Sequence, residues 1–522
     1  MKRNLLAASV AAVASGSAAA ADFDFVIGGA SAPTQAIGVV VSETLCASNV
    51  QAVASDDGWV VECTTTAGND VAFYKNEEGS AGGVAVLDAA DADLQLSDIA
   101  TLAGDGCTVY PSFAEASANP CATASTTTRV TDVGVSDVDP NTFVGVLADL
   151  DDDTVLPVGN VEVPSNVVDF ENNSSLQVSA LGSLMFGIVV SDPFYAALQH
   201  SQFFGDDTCD PAIYSNDAAS FDASASSESL ECMPSLSRAE IASLLSGQIA
   251  SATSIGTRVT SIYGTDYASL YDLAYGNWFA SSDGGTINLC LRNQGSGTHA
   301  VTMQYFLRSN CGAVDTRLVA ARECDNDASG DDCGVIVGNS GSSDLAACLT
   351  AKADAGKWAV GYQSLEKNAN QNDSNGNDYR FVKVDGVAPN LENFLKGDYK
   401  EFGNVTAQYR GVGTWSASNG FDNATEEAAA LALFNDLVAT FSDDPTALGD
   451  LNLDPIFQQA FGEAGWASQA GAAGAPLGVD VNKQVAGHVA KPVNSLVYER
   501  LNGVQGLCGT PATPFGSVDS IK

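Results

Sequence analysis

Three times along this chain a strand-like apolar run passes into a bend rich in Gly and Ser at a possible helix start, and a fourth such bend precedes a helix-like stretch. That repetition limits the fold more than any other feature. Phe23-Asp24-Phe25-Val26-Ile27 leads through Gly28-Gly29-Ala30-Ser31-Ala32-Pro33 to Ile37, Val40, Val41 and Leu45. Val71-Ala72-Phe73-Tyr74 leads to Gly79-Ser80-Ala81-Gly82-Gly83. Thr286 to Leu291 run through Arg292-Asn293-Gln294-Gly295-Ser296-Gly297-Thr298 into Val301, Met303, Tyr305, Phe306 and Leu307. Gly338-Asn339-Ser340-Gly341-Ser342-Ser343-Asp344 opens a further helix-like stretch. Strands alternating with helices through such turns predict an α/β fold with mostly parallel or mixed sheets. Ligands of such folds sit beyond the carboxyl ends of the strands, where these turns lie.

The bend at Arg292 carries the most chemistry. Two glycines let the backbone turn and expose the first N–H groups of the next helix. Those donors, the helix dipole, the hydroxyls of Ser296 and Thr298 and the Arg292 guanidinium suit an anion with several oxygens. The same stretch also reads as a Gly-rich turn in which Ser or Thr merely caps a helix. The turns at 28, 79 and 295 are too far apart for one nucleotide loop, so they are expected to meet across a cleft between two lobes. Val133-Gly134-Val135-Ser136-Asp137 reads as a buried strand ending in a carboxylate. Asp137 is then either a turn former or an acceptor for a proton carried by the ligand.

Elsewhere the pattern is structural. Leu184 to Val190 reads as a central strand broken by Ser191-Asp192-Pro193. Ser237-Arg238-Ala239-Glu240 is a capping box, and Trp358 to Tyr362 and Tyr379 to Val384 read as strands. Asn423 and Glu426 open a helix with Leu431, Phe434, Leu437, Val438 and Phe441 on its buried face. Asp325-Asn326-Asp327-Ala328-Ser329-Gly330 resembles the start of a calcium loop, but its last position is Ile336 instead of Glu.

With 22 Lys and Arg against 64 Asp and Glu, the net charge is −42, which argues against nucleic acid and anionic membrane surfaces as partners. A captured anion must be held by short-range hydrogen bonds, because the long-range field repels it and is screened beyond roughly 8–10 Å. Met1-Lys2-Arg3, apolar Leu5 to Ala14 and Ala18 to Ala21 match a secretory signal peptide over 1–21. With no cysteine before Cys46 to carry a lipid anchor, a periplasmic or secreted protein is expected. Twelve cysteines in an exported chain point to disulfides. Sequential pairing would give Cys46/Cys63, Cys107/Cys121, Cys209/Cys232, Cys290/Cys311 and Cys324/Cys333, leaving Cys348 with Cys508. The scattered His200, His299 and His488, without paired CxxC motifs, predict no metal site.

In order, the motifs at 28–33, 79–83, 134–137, 292–298 and Val360-Gly361-Tyr362 resemble the phosphate-binding proteins of ABC importers. The resemblance implies a two-lobed type II periplasmic-binding-protein fold, here with insertions near 88–129, 200–232, 312–335 and 410–470 and stabilised by disulfides. Lobe 1 would comprise 22–190 and 403–522, and lobe 2 would comprise 191–402. By position, Ser31, Ala32 and Ser80 would contact the ligand from lobe 1, and Asp137 would accept from a protonated phosphate oxygen. Arg292 would make the charged contact, with Ser296, Gly297 and Thr298 completing the shell. Gln294 stands where the family has a carboxylate, which shifts the selection for phosphate toward Asp137. The resemblance implies a monomeric, cofactor-free, non-enzymatic receptor that passes inorganic phosphate to an ABC permease. Two other readings stay open: a secreted or surface protein using the fold for adhesion or scavenging, and a phosphate-ester hydrolase. Against the last, Ser296 sits in Gly-Ser-Gly and not in a GxSxG elbow.

Overall fold

The computed structural model describes residues 23–55, 58–76, 79–83, 92–138, 177–246, 249, 251, 255, 269–292, 296–306, 336–339, 341–367, 379–390, 393, 398–409, 424–442 and 466–468. β1 (Phe23–Gly29) is buried along nearly its whole length, as a strand flanked on both sides by parallel neighbours must be. Helix α1 (Thr34–Val40) follows, then the meander β2 (Cys46–Ser55), β3 (Gly58–Thr65) and β4 (Asp70–Asn76). Its Val, Trp, Phe and Tyr residues suit a pleated, buried surface. β5 (Ala92–Leu96) and β6 (Thr126–Val130) form a separate antiparallel pair. The Cys107–Cys121 bond pins the segment between them, as sequential pairing predicts.

β7 (Val133–Ser136) pairs parallel with β1, and β8 (Gln177–Ser191) is the long strand on which the rest is hung. Pro193 does more than break β8. It sits in the first turn of α2 (Asp192–Gln202), where its missing N–H costs nothing. After β9 (Ser235–Leu236) comes α3 (Arg238–Leu245), opened by the expected Ser237–Glu240 capping box. The second parallel set follows as β10 (Ile287–Arg292), α4 (Gly297–Phe306), β11 (Ile336–Asn339), α5 (Ser342–Asp354) and β12 (Trp358–Ser364). The segment expected as one strand from Tyr379 to Val384 is two, β13 (Tyr379–Phe381) and β14 (Lys383–Val384), since the first pairs with β8 and the second with β9. β15 (Phe402–Tyr409), α6 (Ala424–Ser442) and β16 (Trp466–Ser468) complete the described chain. Phe434, Leu437 and Phe441 are buried on α6 as its spacing predicts.

Among the described residues, twelve strands join in one mixed sheet in the order β11-β10-β12-β8-β15-β7-β1-β4-β3-β2, with β13 and β16 also pairing with β8. Register sets where the bends of this sheet meet. The first half of β8 pairs with β15, from Gln177↔Tyr409 to Met185↔Phe402. Its second half pairs with β12, from Phe186↔Ser364 to Val190↔Val360. β1, β4 and β7 run parallel to one another beside the first half, while β10, β11 and β12 do so beside the second half and in the opposite sense. The carboxyl ends of the two sets therefore point at each other, level with Met185 and Phe186. Two tyrosines fasten this midpoint: Tyr399 Oη donates to the Phe186 carbonyl (2.6 Å) and Tyr305 Oη to that of Phe402 (2.9 Å).

The Cys46–Cys63 and Cys209–Cys232 bonds form as adjacent pairing predicts. Cys290 does not pair with Cys311, however. It bonds Cys348 across a separation of 58 residues, because α5 packs along β10 and β12 and brings the two Cα atoms to 6.0 Å. That also removes the pairing of Cys348 with Cys508. Cys311, Cys324, Cys333 and Cys508 lie outside the described residues, as do the signal-like segment 1–21 and the calcium-like loop at Asp325.

Candidate functional site

The first bend is built by close backbone approach. Gly29 has φ +102°, and a Cβ there would fall 2.7 Å from the Cα of Gly83 and against the Val135 carbonyl. Only glycine fits, and the chain turns inward to Ser31 and Ala32, both buried just before α1. Behind the bend Lys75 is fully buried. Its Nζ donates to the carbonyls of Gly29 (3.1 Å), Ala30 (3.0 Å) and Asn76. The ammonium braces the turn and places a positive charge beside it.

From the opposing set, β10 ends in Arg292, which is 4% exposed. Its Nη1 donates to Ser342 Oγ at 2.8 Å and to Ser31 Oγ at 3.4 Å, and the two hydroxyl oxygens are 3.2 Å apart. Ser31, from the bend after β1, and Ser342, at the start of α5, thus converge on one guanidinium nitrogen at the end of β10. A second meeting joins the remaining bends. Ser80, in the helical turn 80–83, accepts from the Asp137 backbone N–H at 3.0 Å. Gly297 presses so close that a Cβ there would strike Ser80 Oγ and lie 2.6 Å from Asp137 Cβ and 2.8 Å from Asp137 Oδ2.

Of the residues expected at the site, Ser31 and Arg292 are in contact, as are Ser80, Asp137 and Gly297, with Ala32, Ser296 and Thr298 buried in the same bends. Gln294 lies outside the described residues. Ser296 Oγ accepts from His299 N at 3.4 Å, so it caps α4. Thr298 Oγ1 is buried with no hydrogen-bond partner among the described residues. His299 keeps some exposed surface, but its Nε2 is buried and has no partner among the described residues. Burial first, and the nearby Arg292 charge second, pull its pKa from 6.5 to about 4. The ring is therefore neutral at neutral pH.

The reading from sequence left Ser342, Lys75 and Gln363 out of the site. Ser342 lies in a Gly/Ser bend already evident in the sequence, and the β10–β11 pairing, which sets Arg292 opposite Asn339, carries it to the guanidinium. Gln363 Nε2 donates to the Ser342 carbonyl at 3.0 Å. In a chain of net charge −42 the assembled bends form a local exception: buried cationic and hydroxyl donors, the N-termini of α4 and α5, and one carboxylate. Donors on one side with an acceptor on the other can grip an oxyanion that carries a proton.

No protein-family model matches the sequence, and no curated protein matches it. Solved structures similar to it include an ABC-type phosphate transport receptor from Vibrio cholerae, with 11% identity, a TM-score of 0.32 and coverage of 80% of this chain and 98% of that one. PstS from Borrelia burgdorferi matches with 9% identity, a TM-score of 0.31 and coverage of 86% and 100%. The ancestral soluble variant of the human phosphate binding protein matches with 12% identity, a TM-score of 0.38 and coverage of 93% and 98%. At identities and TM-scores this low, the ligand has to be read from the geometry of the bends themselves.

Proposed function

We propose that this chain is an exported, non-enzymatic binding protein that holds inorganic phosphate, or an oxyanion of the same shape, between two lobes. The observation that carries the reading is the convergence of Ser31 and Ser342, from opposed sets of strands, on Nη1 of Arg292. Hydroxyls, a guanidinium and helix N-termini bind oxygen anions through short-range hydrogen bonds, which the overall acidity requires. The Asp137 carboxylate repels a bare oxyanion oxygen but accepts from a protonated one, which favours hydrogen phosphate over sulfate. In this reading lobe 1 comprises 22–190 with 403–522 and lobe 2 comprises 191–402. Closure about the β8 midpoint traps the guest without covalent chemistry, and an ABC permease receives it from the monomer.

Titration calorimetry tests the reading. Wild type binds phosphate and arsenate, and Asp137→Asn narrows the preference for phosphate over sulfate. A wild-type protein that binds none of phosphate, arsenate, sulfate or molybdate ends it. The import step has its own test, loss of phosphate uptake at low external phosphate in cells that no longer make the chain.

A further inference from the structure

We infer that Ser342 is a further anion-binding residue that orders the hydrogen-bond donors around Arg292, an inference that rests on the phosphate-binding reading above. Ser342 is the first residue of a helix of 13 residues and is 1% exposed. Its position is fixed from three sides. Gln363 Nε2 donates to its carbonyl at 3.0 Å, Asp344 Oδ2 accepts from the Gly341 N–H at 2.9 Å, and the Cys348–Cys290 bond ties α5 to the strand that ends in Arg292.

A guanidinium can only donate. The Nη1 of Arg292 lies within hydrogen-bond reach of both Ser31 Oγ and Ser342 Oγ, so both oxygens are used as acceptors. Each hydroxyl then has a single proton left to direct. At 3.2 Å one of them satisfies the other hydroxyl. The second proton needs a different acceptor, and an unprotonated oxygen of a tetrahedral anion supplies it. Ser342 thereby makes the Arg292 side of the site donor-only, in contrast to the side formed by the Asp137 carboxylate. A ligand must present bare oxygens to the first and a hydroxyl to the second.

The experiment is calorimetric titration of wild type, Ser342→Ala and Ser343→Ala with inorganic phosphate. Ser343 is the exposed neighbour on the same helical turn and serves as the control. Ser342→Ala removes a single oxygen from a helix end held by a disulfide, and it stays folded. Its phosphate affinity falls by about tenfold, the scale of a hydrogen bond to a charged group, while Ser343→Ala stays within about twofold. Unchanged affinity in Ser342→Ala, or an equal loss in both variants, overturns the inference. Wild type that fails to bind phosphate overturns the reading beneath it as well, which separates the two failures.

Discussion

Arg292 and Arg380 are both almost completely buried, at 4% and 1% exposure, yet their surroundings differ in kind. Arg380, in β13, donates to both carboxylate oxygens of Asp192 (3.1 and 3.3 Å) and to Asp222 Oδ1 (3.4 Å), with its guanidinium 5.9 Å from the Phe221 ring centroid. The described hydrogen bonds of Arg292 go to the hydroxyls of Ser31 and Ser342. Carboxylates cancel a buried charge and turn it into a rivet between elements. Hydroxyls orient a guanidinium without adding negative charge beside it. A buried arginine is thus evidence of stability or of binding according to what it touches.

The largest expected effect is at the rivet. Arg380→Ala leaves Asp192 buried without this partner, and denaturant titration should show unfolding free energy lower by about 3–5 kcal/mol. The phosphate affinity of the folded protein should stay within about threefold. Arg292→Ala should show the reverse pattern, with phosphate affinity down about 100-fold by calorimetry and a stability loss of only about 1–2 kcal/mol. If the two variants exchanged these patterns, the contrast would fail.

His299 reports the Arg292 charge and sharpens the contrast. Its folded-state pKa, about 4, lies below its ordinary 6.5, so between those values the unfolded chain takes up a proton at this ring that the folded chain refuses. Stability therefore falls as pH drops through that window, by about 2 kcal/mol once partial exposure is allowed for, and His299→Gln should flatten this part of the curve. In Arg292→Ala, NMR titration should find the His299 pKa raised only part of the way to 6.5, because burial is the larger cause. The smallest effect belongs to Gly297→Ala. Its methyl would collide with Ser80 and Asp137, lowering phosphate affinity about tenfold, on the scale of overpacking. Scattering should show a more open particle in the presence of phosphate.

What the sequence made legible was local. The bend at Ser31 needs Gly29 for its φ and its contact with Gly83, and the Ser237 cap needs Glu240 three residues on; such requirements are written in adjacent residues. Ordered strand–bend–helix units likewise announced the mixed sheet. What escaped depends on register and packing between distant segments. Ser342 joins the site only because β11 pairs with β10, and Cys348 reaches Cys290 only because α5 lies along β10. Lys75 sits in the strand sequence Phe73-Tyr74-Lys75-Asn76, and nothing beside it in the chain reveals that its ammonium ends among the carbonyls of another strand's bend. Arg380 read as a strand residue for the same reason, since its carboxylates come from Asp192 and Asp222.

Cys290 stands two residues before Arg292 and Cys348 six residues after Ser342, so a single covalent link holds the arginine and its hydroxyl at fixed spacing. Backbone hydrogen bonds fix the strand but not the helix packed on it, so this bond is the covalent brake on sliding of α5 along β10, the motion that would part the two side chains.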